Sequence, residues 1–345
     1  MTAKRSKRSV PEASVVVLNF NGKEHLRKCL MSLRKQGHKN FEVIVSDNNS
    51  TDGSRQMVER EFPEASLIRN PQNYGVSKGY NAGVSAAKGK YIATLANDMV
   101  LDKNWVREAV KVLKADENIA AAGSFIQNKE GGHYKGEKCY GFYMDLLGNP
   151  LTLHEETPGY IFGPSGAIIK KDVVGLPYDN DFFYSGDEIY LGWKVLLTGY
   201  KTAQANRARL FHEGRVSVSA VSEFAEYHAE KDKYLNLLIF YGTSTLLKLL
   251  PLMIINVAVT SLLAIVRLRL HTRLKAYLWL LTHLRLVLGK RREMQRMRRV
   301  SDKEVLRYVG ARIPYRLGPL TAVANKLLLT YCWLLRIQVR ELQKK

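Results

Sequence analysis

Three strand-like apolar runs of this sequence end in short side chains that carry amide or carboxylate groups. These side chains are Asn19, Asp47, Asn97 and Asp98. Amides and carboxylates can hydrogen-bond a ligand, and a carboxylate can also bind a divalent cation. One polar residue after a strand has an ordinary explanation, because every strand must end in a turn. Three such endings on one edge of a sheet favour a ligand site, with Asp98 as a carboxylate at that edge.

The elements that must position these side chains alternate between strand and helix. Strand patterns begin the stretches 14–20, 41–54, 66–69 and 91–99, and helical spacing of apolar or small residues separates them. This alternation predicts an α/β domain with a largely parallel sheet. In such sheets ligands bind outside the carboxyl ends of the strands, which is where the polar side chains fall.

Two more segments hold residues that could act in a site. Residues 178–201 begin as an acidic loop and continue as a helix, and residues 204–217 place His212 at the end of an extended stretch. A single histidine is more often structural than a ligand. Thr51 and Asp52 can cap the helix after the second strand, and for Asp52 a cap and a ligand are equally open.

Positive charge is concentrated in the last third of the chain. The 345 residues carry 53 Lys and Arg against 32 Asp and Glu, a formal net charge of +21. Residues 231–345 hold 23 of the basic and 5 of the acidic residues, so this segment alone contributes +18. The segment is rich in leucine, whereas nucleic-acid-binding arms are usually polar. We therefore expect a membrane partner and no nucleic acid.

The cysteines and the amino terminus indicate the compartment. The chain has 3 widely spaced cysteines, which form neither a disulfide framework nor a zinc knuckle, so a reducing compartment is expected. Residues 1–12 are basic but lack an apolar run, and we interpret them as a flexible tail and not as a secretory signal.

Residues 249–266 form the most apolar segment of the basic region. These eighteen uncharged residues reach the lower limit for a membrane span, and Pro251 and Asn256 weaken that interpretation. Leucines at helical spacing with interleaved Lys and Arg follow in 268–288, a pattern that favours a membrane interface. We predict a helical membrane-associated region over 231–345, peripheral or with one inserted helical segment.

An ordered set of motifs runs along the chain: SVVVLNFNG, FEVIVSDNNSTDGS, NYGVSKGYNAG, KGKYIATLANDM, FGPSGAIIKKD, FFYSGDEIYLGWKVLLTGYK and RLFHEG. The set resembles family 2 glycosyltransferases, particularly their rhamnosyltransferase-like branch, over about residues 13–215. The resemblance implies a GT-A fold and sugar transfer from a nucleotide diphosphate with inversion at the anomeric carbon. We expect a GT-A domain at 13–230, with a nucleotide-sugar half at 13–128 and an acceptor half at 129–230.

The resemblance also implies which residues bind the donor. Base and ribose would be held at the first strand ends, and two glycines would let the backbone approach the diphosphate. A lysine stands where the family commonly has an arginine, so diphosphate contacts can differ. The implied donor-binding residues are Asn19, Asp47, Asp52, Asn73, Gly75, Gly79, Asn97 and Lys194.

A divalent cation, Mn²⁺ or Mg²⁺, is implied by the same resemblance. The family places Asp-x-Asp or Asn-x-Asp at this point, and here the pattern reads Ala96-Asn97-Asp98, so its first member cannot bind metal. Asp98 would be the principal carboxylate ligand, and His212 matches a position that often completes the metal site. An imidazole ligand suits Mn²⁺ better than Mg²⁺.

Inversion needs a base that takes the proton of the acceptor hydroxyl. The resemblance places Glu188 in the usual position of this base, with its neighbour Asp187 as a rival. On the acceptor side it places Ser165, Gly166 and Trp193.

The whole sequence predicts a membrane-associated inverting glycosyltransferase at the cytoplasmic face of the cell membrane, which extends a lipid-linked or cell-envelope glycan. Three alternatives stay open. They are a sugar-phosphate nucleotidyltransferase, a catalytically impaired glycosyltransferase-like scaffold suggested by Ala96, and a basic scaffold that binds nucleic acid. The sequence does not indicate the donor sugar, the linkage or the oligomeric state.

Overall fold

The computed structural model describes residues 10–129, 137–154, 163, 166–213, 222–312 and 319–343. The strands of this part of the chain are β1 Ala13–Asn19, β2 Phe41–Asp47, β3 Ser66–Arg69, β4 Tyr91–Ala96, β5 Met99–Leu101, β6 Ile119–Asn128, β7 Lys138–Cys139, β8 Phe142–Asp145, β9 Pro150–Thr152, β10 Ile168–Lys170, β11 Lys201–His212 and β12 Val309–Gly310. The helices are α1 Lys23–Arg34, α2 Ser54–Glu61, α3 Gly75–Ala86, α4 Trp105–Ala115, α5 Lys171–Val174, α6 Asp187–Leu197, α7 Glu223–Phe240, α8 Thr243–Val266, α9 Leu270–Thr282, α10 Leu284–Met297, α11 Asp302–Leu306 and α12 Pro319–Leu334, followed by a 3₁₀ turn at Arg340–Gln343.

The predicted α/β architecture is confirmed, with a central sheet in the order β3-β2-β1-β4-β10-β6-β11-β5. The first four strands are parallel to one another. β10 is antiparallel to both β4 and β6, and β5 is antiparallel to β11, so the sheet is mixed in its second half. A small second sheet has the order β12-β8-β9. The parallel half carries the predicted polar strand ends.

Strand β1 is covered on both faces, which explains its run of three valines. Val15 and Val17 pack in one core cluster with α1 and α4, whereas Val16 packs in a second cluster with α3 and α6. All three valines are fully buried. β-branched side chains on both sides of a strand are expected where helices cover both faces of a parallel sheet.

The C-terminal helices share a core with the α/β domain. Trp193 of α6 stacks on Phe240 of α7 with ring centroids 5.5 Å apart, and both belong to a cluster that includes Val287 of α10 and Val309 of β12. The predicted domain boundary at residue 230 falls inside α7. The helical region therefore begins as a continuation of the same packed body.

Helix α8 is, within the described ranges, the one helix long and apolar enough to cross a membrane, and 22% of its most apolar window is buried. Its buried residues form one stripe, and most of its other apolar side chains are exposed. The stripe consists of Thr245, Leu249, Asn256, Thr260 and Ala264. Within it, Asn256 Nδ2 donates to Tyr234 Oη of α7 at 3.0 Å.

Candidate active site

The structure brings the polar strand ends together at one edge of the sheet. Asn19 is paired with Asp47 in the register of β1 and β2, and Leu18 is paired with Ala96 of β4. Asn19 Nδ2 donates to Asp47 Oδ1 at 2.9 Å, and Asn97 Nδ2 donates to Asn19 Oδ1 at 2.7 Å. This continuous hydrogen-bonded row forms because parallel strands in register end at the same level.

Asp47 is buried and bound on both carboxylate oxygens by the protein. Besides the Asn19 bond, its Oδ2 accepts from Arg55 Nε at 2.6 Å and from the Ser50 backbone N–H at 3.0 Å. Arg55 lies in the first turn of α2, where no motif marked it as part of the site. These bonds fix the carboxylate at the strand edge and compensate its charge.

Asp52 connects the starts of two helices. Its Oδ2 accepts from the Lys23 backbone N–H at 2.8 Å, and its Oδ1 accepts from the Ser54 backbone N–H at 3.0 Å. Burial raises the pKa of Asp52, but hydrogen bonds from the Ser54 hydroxyl and from these backbone groups outweigh burial and lower it. The structure shows the capping role, and a ligand role stays a prediction.

The predicted diphosphate loop packs against the protein itself. Asn73 Oδ1 accepts from the Gly75 backbone N–H at 2.9 Å. Gly75 has φ +72°, and a Cβ there would lie 2.4 Å from the Phe183 carbonyl oxygen. A Cβ on Gly79 would lie 2.5 Å from Leu18 Cδ1. Close packing by itself therefore requires both glycines, and their contact with a diphosphate stays a prediction.

Asp98 and His212 meet at the far end of the same edge. His212 Nε2 lies 3.0 Å from Asp98 Oδ2, and His212 Nδ1 lies 2.9 Å from Asn128 Oδ1. Asp98 Oδ1 is buried without a hydrogen-bond partner among the described residues. β5 follows Asp98 directly and pairs with β11, with Met99 opposite His212, so the sheet itself sets this contact.

The Asp98–His212 pair fits a divalent cation that takes its other ligands from water and phosphate. Carboxylate oxygen and imidazole nitrogen are donors that Mn²⁺ accepts, and the unpartnered Asp98 Oδ1 is directed to no protein donor among the described residues. No cluster of three or more His, Cys, Asp or Glu that could hold a metal occurs in the described part of the chain. Ala96 adds no donor, so the protein supplies few of the ligands.

The two candidate base residues begin α6. Gly186, in the left-handed conformation with φ +82°, precedes them as the N-cap. Burial, the charge of Glu188 and the hydrogen bond between these two side chains raise the pKa of Asp187 well above its usual range. Asp187 is buried and Glu188 is half-buried. Of the two carboxyl groups, Asp187 is the one whose protonated form burial favours.

The buried phenol of Tyr80 is influenced by the predicted base residues and by Asp98. Burial raises the pKa of the Tyr80 hydroxyl, and the charges of Tyr178, Asp187, Glu188 and Asp98 add to this effect. All three carboxylates thus act on a single side chain of α3. That the base pair and Asp98 serve one site stays a prediction.

The acceptor-side predictions have mixed outcomes. Gly166 lies beside β6, where its carbonyl accepts from Ser124 Oγ at 2.7 Å. Trp193 has no exposed surface and belongs to the core between α6 and α7, so it cannot contact an acceptor in this conformation. Ser165 lies outside the described residues.

Lys194 is bound to the segment just after α5. Its Nζ donates to the Leu176 carbonyl at 2.6 Å, and burial lowers its pKa. No described contact joins it to the residues at the strand ends, and its donor-binding role stays a prediction. Sequence reasoning missed Arg55, Tyr80 and Asn128. Only Asn128, a polar residue that ends a strand, carried the signal that identified the other edge residues.

The comparisons with known proteins agree with this geometry. Residues 14–174 match the family model described as glycosyl transferase family 2. The protein carries a family 2 glycosyltransferase domain. The matched segment contains the strand-edge residues and Asp98, and the comparisons do not single out the rhamnosyltransferase-like branch.

Two glycosyltransferases are similar in sequence to about half of the chain. The chain is 30% identical over 164 residues to the glycosyltransferase YfnE of Bacillus subtilis (strain 168). That alignment covers 47% of this chain and 38% of YfnE. It is 27% identical over 178 residues to the GalNAc(5)-diNAcBac-PP-undecaprenol beta-1,3-glucosyltransferase of Campylobacter jejuni. That alignment covers 50% of this chain and 51% of the relative. The chain thus spans about half or less of these relatives.

A solved structure shows the fold. The crystal structure of GalNAc-T7 with UDP, GalNAc and Mn²⁺ superposes with a TM-score of 0.55 at 16% identity, over 68% of this chain and 49% of that one. The predicted GT-A fold of the family 2 glycosyltransferase domain is confirmed.

Proposed function

We propose that this glycosyltransferase moves a sugar from a nucleoside diphosphate to a lipid-linked or cell-envelope glycan, with inversion and with the help of a divalent cation. The observation that carries the proposal is the buried Asp98 Oδ1, which lacks a protein partner among the described residues and lies beside His212 at the strand edge. GalNAc-T7, which has the same fold, is crystallised with UDP and Mn²⁺, which supports this choice of donor and ion.

The proposed reaction is a single displacement at the anomeric carbon. The acceptor oxygen forms the new bond to this carbon as the bond to the diphosphate oxygen breaks, and the diphosphate leaves with the electron pair. A cation held by Asp98 and His212 would stabilise the negative charge that develops on the diphosphate. The acceptor proton goes to a carboxylate at the start of α6.

Glu188 is the better candidate for this base. Burial and the neighbouring Glu188 raise the pKa of Asp187 well above its usual range, which favours its protonated form as the hydrogen-bond donor of the pair. Glu188 is half-buried and more open to a substrate hydroxyl. Asp187 then positions Glu188 through their shared hydrogen bond.

A membrane-borne acceptor at the cytoplasmic face is part of the proposal. The Campylobacter relative is a glucosyltransferase for a saccharide on PP-undecaprenol, a lipid-linked substrate. The +18 charge of residues 231–345 and the exposed apolar side of α8 support attachment to an anionic lipid surface.

The test is nucleoside diphosphate release from a panel of sugar nucleotides with Mn²⁺, Mg²⁺ or EDTA, and with membrane lipid extract as acceptor. We expect release from one donor that stops with EDTA and falls at least about 100-fold in Asp98→Asn, which loses a metal ligand. Asp102→Asn is the matched control, because Asp102 lies one strand further on and its Oδ1 accepts from the Asn104 backbone N–H. Folded protein that releases nothing and binds no nucleotide would favour the impaired scaffold.

A further inference from the structure

The loop 178–186, here called the acidic loop, leads directly into the base pair at the start of α6. Its shape is fixed less by its own hydrogen bonds than by side chains from other elements. We propose that Lys290 and Lys231 of the C-terminal helices are positioning residues that hold the acidic loop, and thereby Asp187 and Glu188, in place for catalysis. This inference rests on the proposed function of the base pair.

Lys290 of α10 joins the loop by three short contacts. Its Nζ lies 2.6 Å from each carboxylate oxygen of Asp179 and 2.8 Å from Asp181 Oδ2. The Asp179 side chain is 9% exposed and the Lys290 side chain 18%, so water screens this pair weakly, whereas Asp181 is 36% exposed. Burial lowers the pKa of Lys290, but the two aspartates outweigh burial and raise it. The ammonium therefore stays charged and bound at neutral pH.

Lys231 of α7 reaches the same loop from another side. Its side chain is 3% exposed, and its Nζ donates to the Asp181 carbonyl at 2.8 Å and lies 2.6 Å from Asp232 Oδ1. The same ammonium lies 4.6 Å from the ring centroid of Trp279 in α9. Two C-terminal helices, α7 and α9, thus meet at one lysine that contacts the loop.

The acidic loop is also tied to the donor half of the domain. Asn81 Nδ2 of α3 donates to the Tyr178 carbonyl at 2.7 Å, and the Val76 backbone N–H donates to the Phe183 carbonyl at 2.7 Å. α3 begins at Gly75, beside the predicted diphosphate loop. The loop therefore lies between the donor side and the C-terminal helices, and its end carries the base pair.

The charge pattern favours a positioning role over a stabilising one. Buried ion pairs lose much of their attraction to desolvation and contribute little net stability compared with apolar packing. Their directional contacts instead select one arrangement of the groups they join, and catalysis is sensitive to shifts of about 1 Å in a base. The C-terminal helices would then complete the catalytic unit as well as face the membrane.

The experiment compares Lys290→Gln with the exposed control Arg292→Gln on the same helix. Both variants remove one positive charge from α10, but only Lys290 contacts the loop. With the donor identified by the release panel, we expect Lys290→Gln to lower kcat about 10-fold while the donor KM stays within about twofold. Arg292→Gln should match the wild type, and Lys290→Arg should restore most of kcat.

Hydrogen exchange of the peptides that cover 178–186 gives a readout that does not depend on activity. We expect faster exchange there in Lys290→Gln, with unchanged exchange in β1 and β2. The melting temperature should fall somewhat, because Asp179 loses its buried lysine partner. Unchanged loop exchange, or a loosened loop with wild-type kcat, would overturn the inference. An inactive wild-type protein would instead overturn the proposed function, and the role of positioning a base would fall with it.

Discussion

At the scale of single residues, the site separates side chains that the protein itself binds from those it leaves open. Asn19 and Asp47 are held in a network with Arg55, whereas Asp98 keeps one buried oxygen without a partner among the described residues. The protein itself satisfies the first pair, whereas Asp98 keeps an oxygen that a ligand could use, and the ligand roles of all three stay predictions. Their sequence signal was the same, a short polar residue after an apolar strand, so only the contacts distinguish them.

The base assignment gives a prediction at this scale. Glu188→Gln should lower kcat about 10²- to 10⁴-fold, the usual contribution of a general base, because a glutamine cannot accept the acceptor proton. Asp187→Asn should cost less, since an amide can keep the hydrogen bond to Glu188 and leaves the proposed base in place. The measurement is kcat/KM for the identified donor across pH for both variants. A larger loss in Asp187→Asn would exchange the two roles.

At the scale of elements, α3 packs on the sheet through glycines, one of which, Gly79, the sequence analysis predicts to bind the donor. Gly75, Gly79 and Gly83 recur every four residues and so lie along one side of the helix. A Cβ on Gly79 or Gly83 would lie 2.5 Å from Leu18 Cδ1 or 2.4 Å from Val16 Cγ1. The helix can approach β1 closely only because these positions lack side chains.

This packing predicts the effect of one methyl group. Gly83→Ala should lower the free energy of unfolding by about 1–3 kcal/mol, the usual cost of overpacking a core. Gly289→Ala in α10 is the matched control, because no atom lies within 4 Å of its added Cβ. We expect the control to be neutral or to gain about 0.5–1 kcal/mol from helix propensity. Urea unfolding of both variants measures the difference, and equal effects would contradict the packing argument.

At the scale of the whole molecule, α8 belongs to the folded body along its length. Its buried stripe from Thr245 to Ala264 packs on neighbouring helices, and Tyr331 Oη of α12 donates to the Lys248 carbonyl at 2.5 Å. α9 packs beside α8 and carries Arg273, paired with Glu230 of α7 at 2.8 Å. A helix embedded beside buried ion pairs is better suited to the membrane surface than to its interior.

An interfacial α8 predicts how vesicle binding responds to charge. The double variant Ile254→Glu and Leu262→Glu replaces two side chains that are 61% and 63% exposed. It should weaken binding to anionic vesicles about 100-fold, since removing two apolar side chains from the lipid costs about 3 kcal/mol. Met31→Glu, an exposed apolar residue of α1 in the sheet domain, is the control. Vesicle flotation measures binding.

A spanning α8 would give a different result. Cysteines introduced as Thr243→Cys and Val266→Cys would then react with an impermeant thiol reagent from opposite sides of the membrane. The three native cysteines are buried, so they interfere little with this labelling. Reaction of both introduced cysteines from one side supports the interfacial orientation.

The sequence by itself determined the α/β order, the polar strand edge and the family, because these follow from local periodicity and from motifs in fixed order. Once the sheet is expected to be parallel, the carboxyl ends of its strands must lie at one edge, so predicting that edge needed no further information. The tertiary structure alone decided that Trp193 is core, that Lys194 faces Leu176, and that Lys290 reaches Asp179 from 111 positions away. Such contacts depend on how helices pack over the sheet, and one sequence carries no local pattern that records packing across such distances.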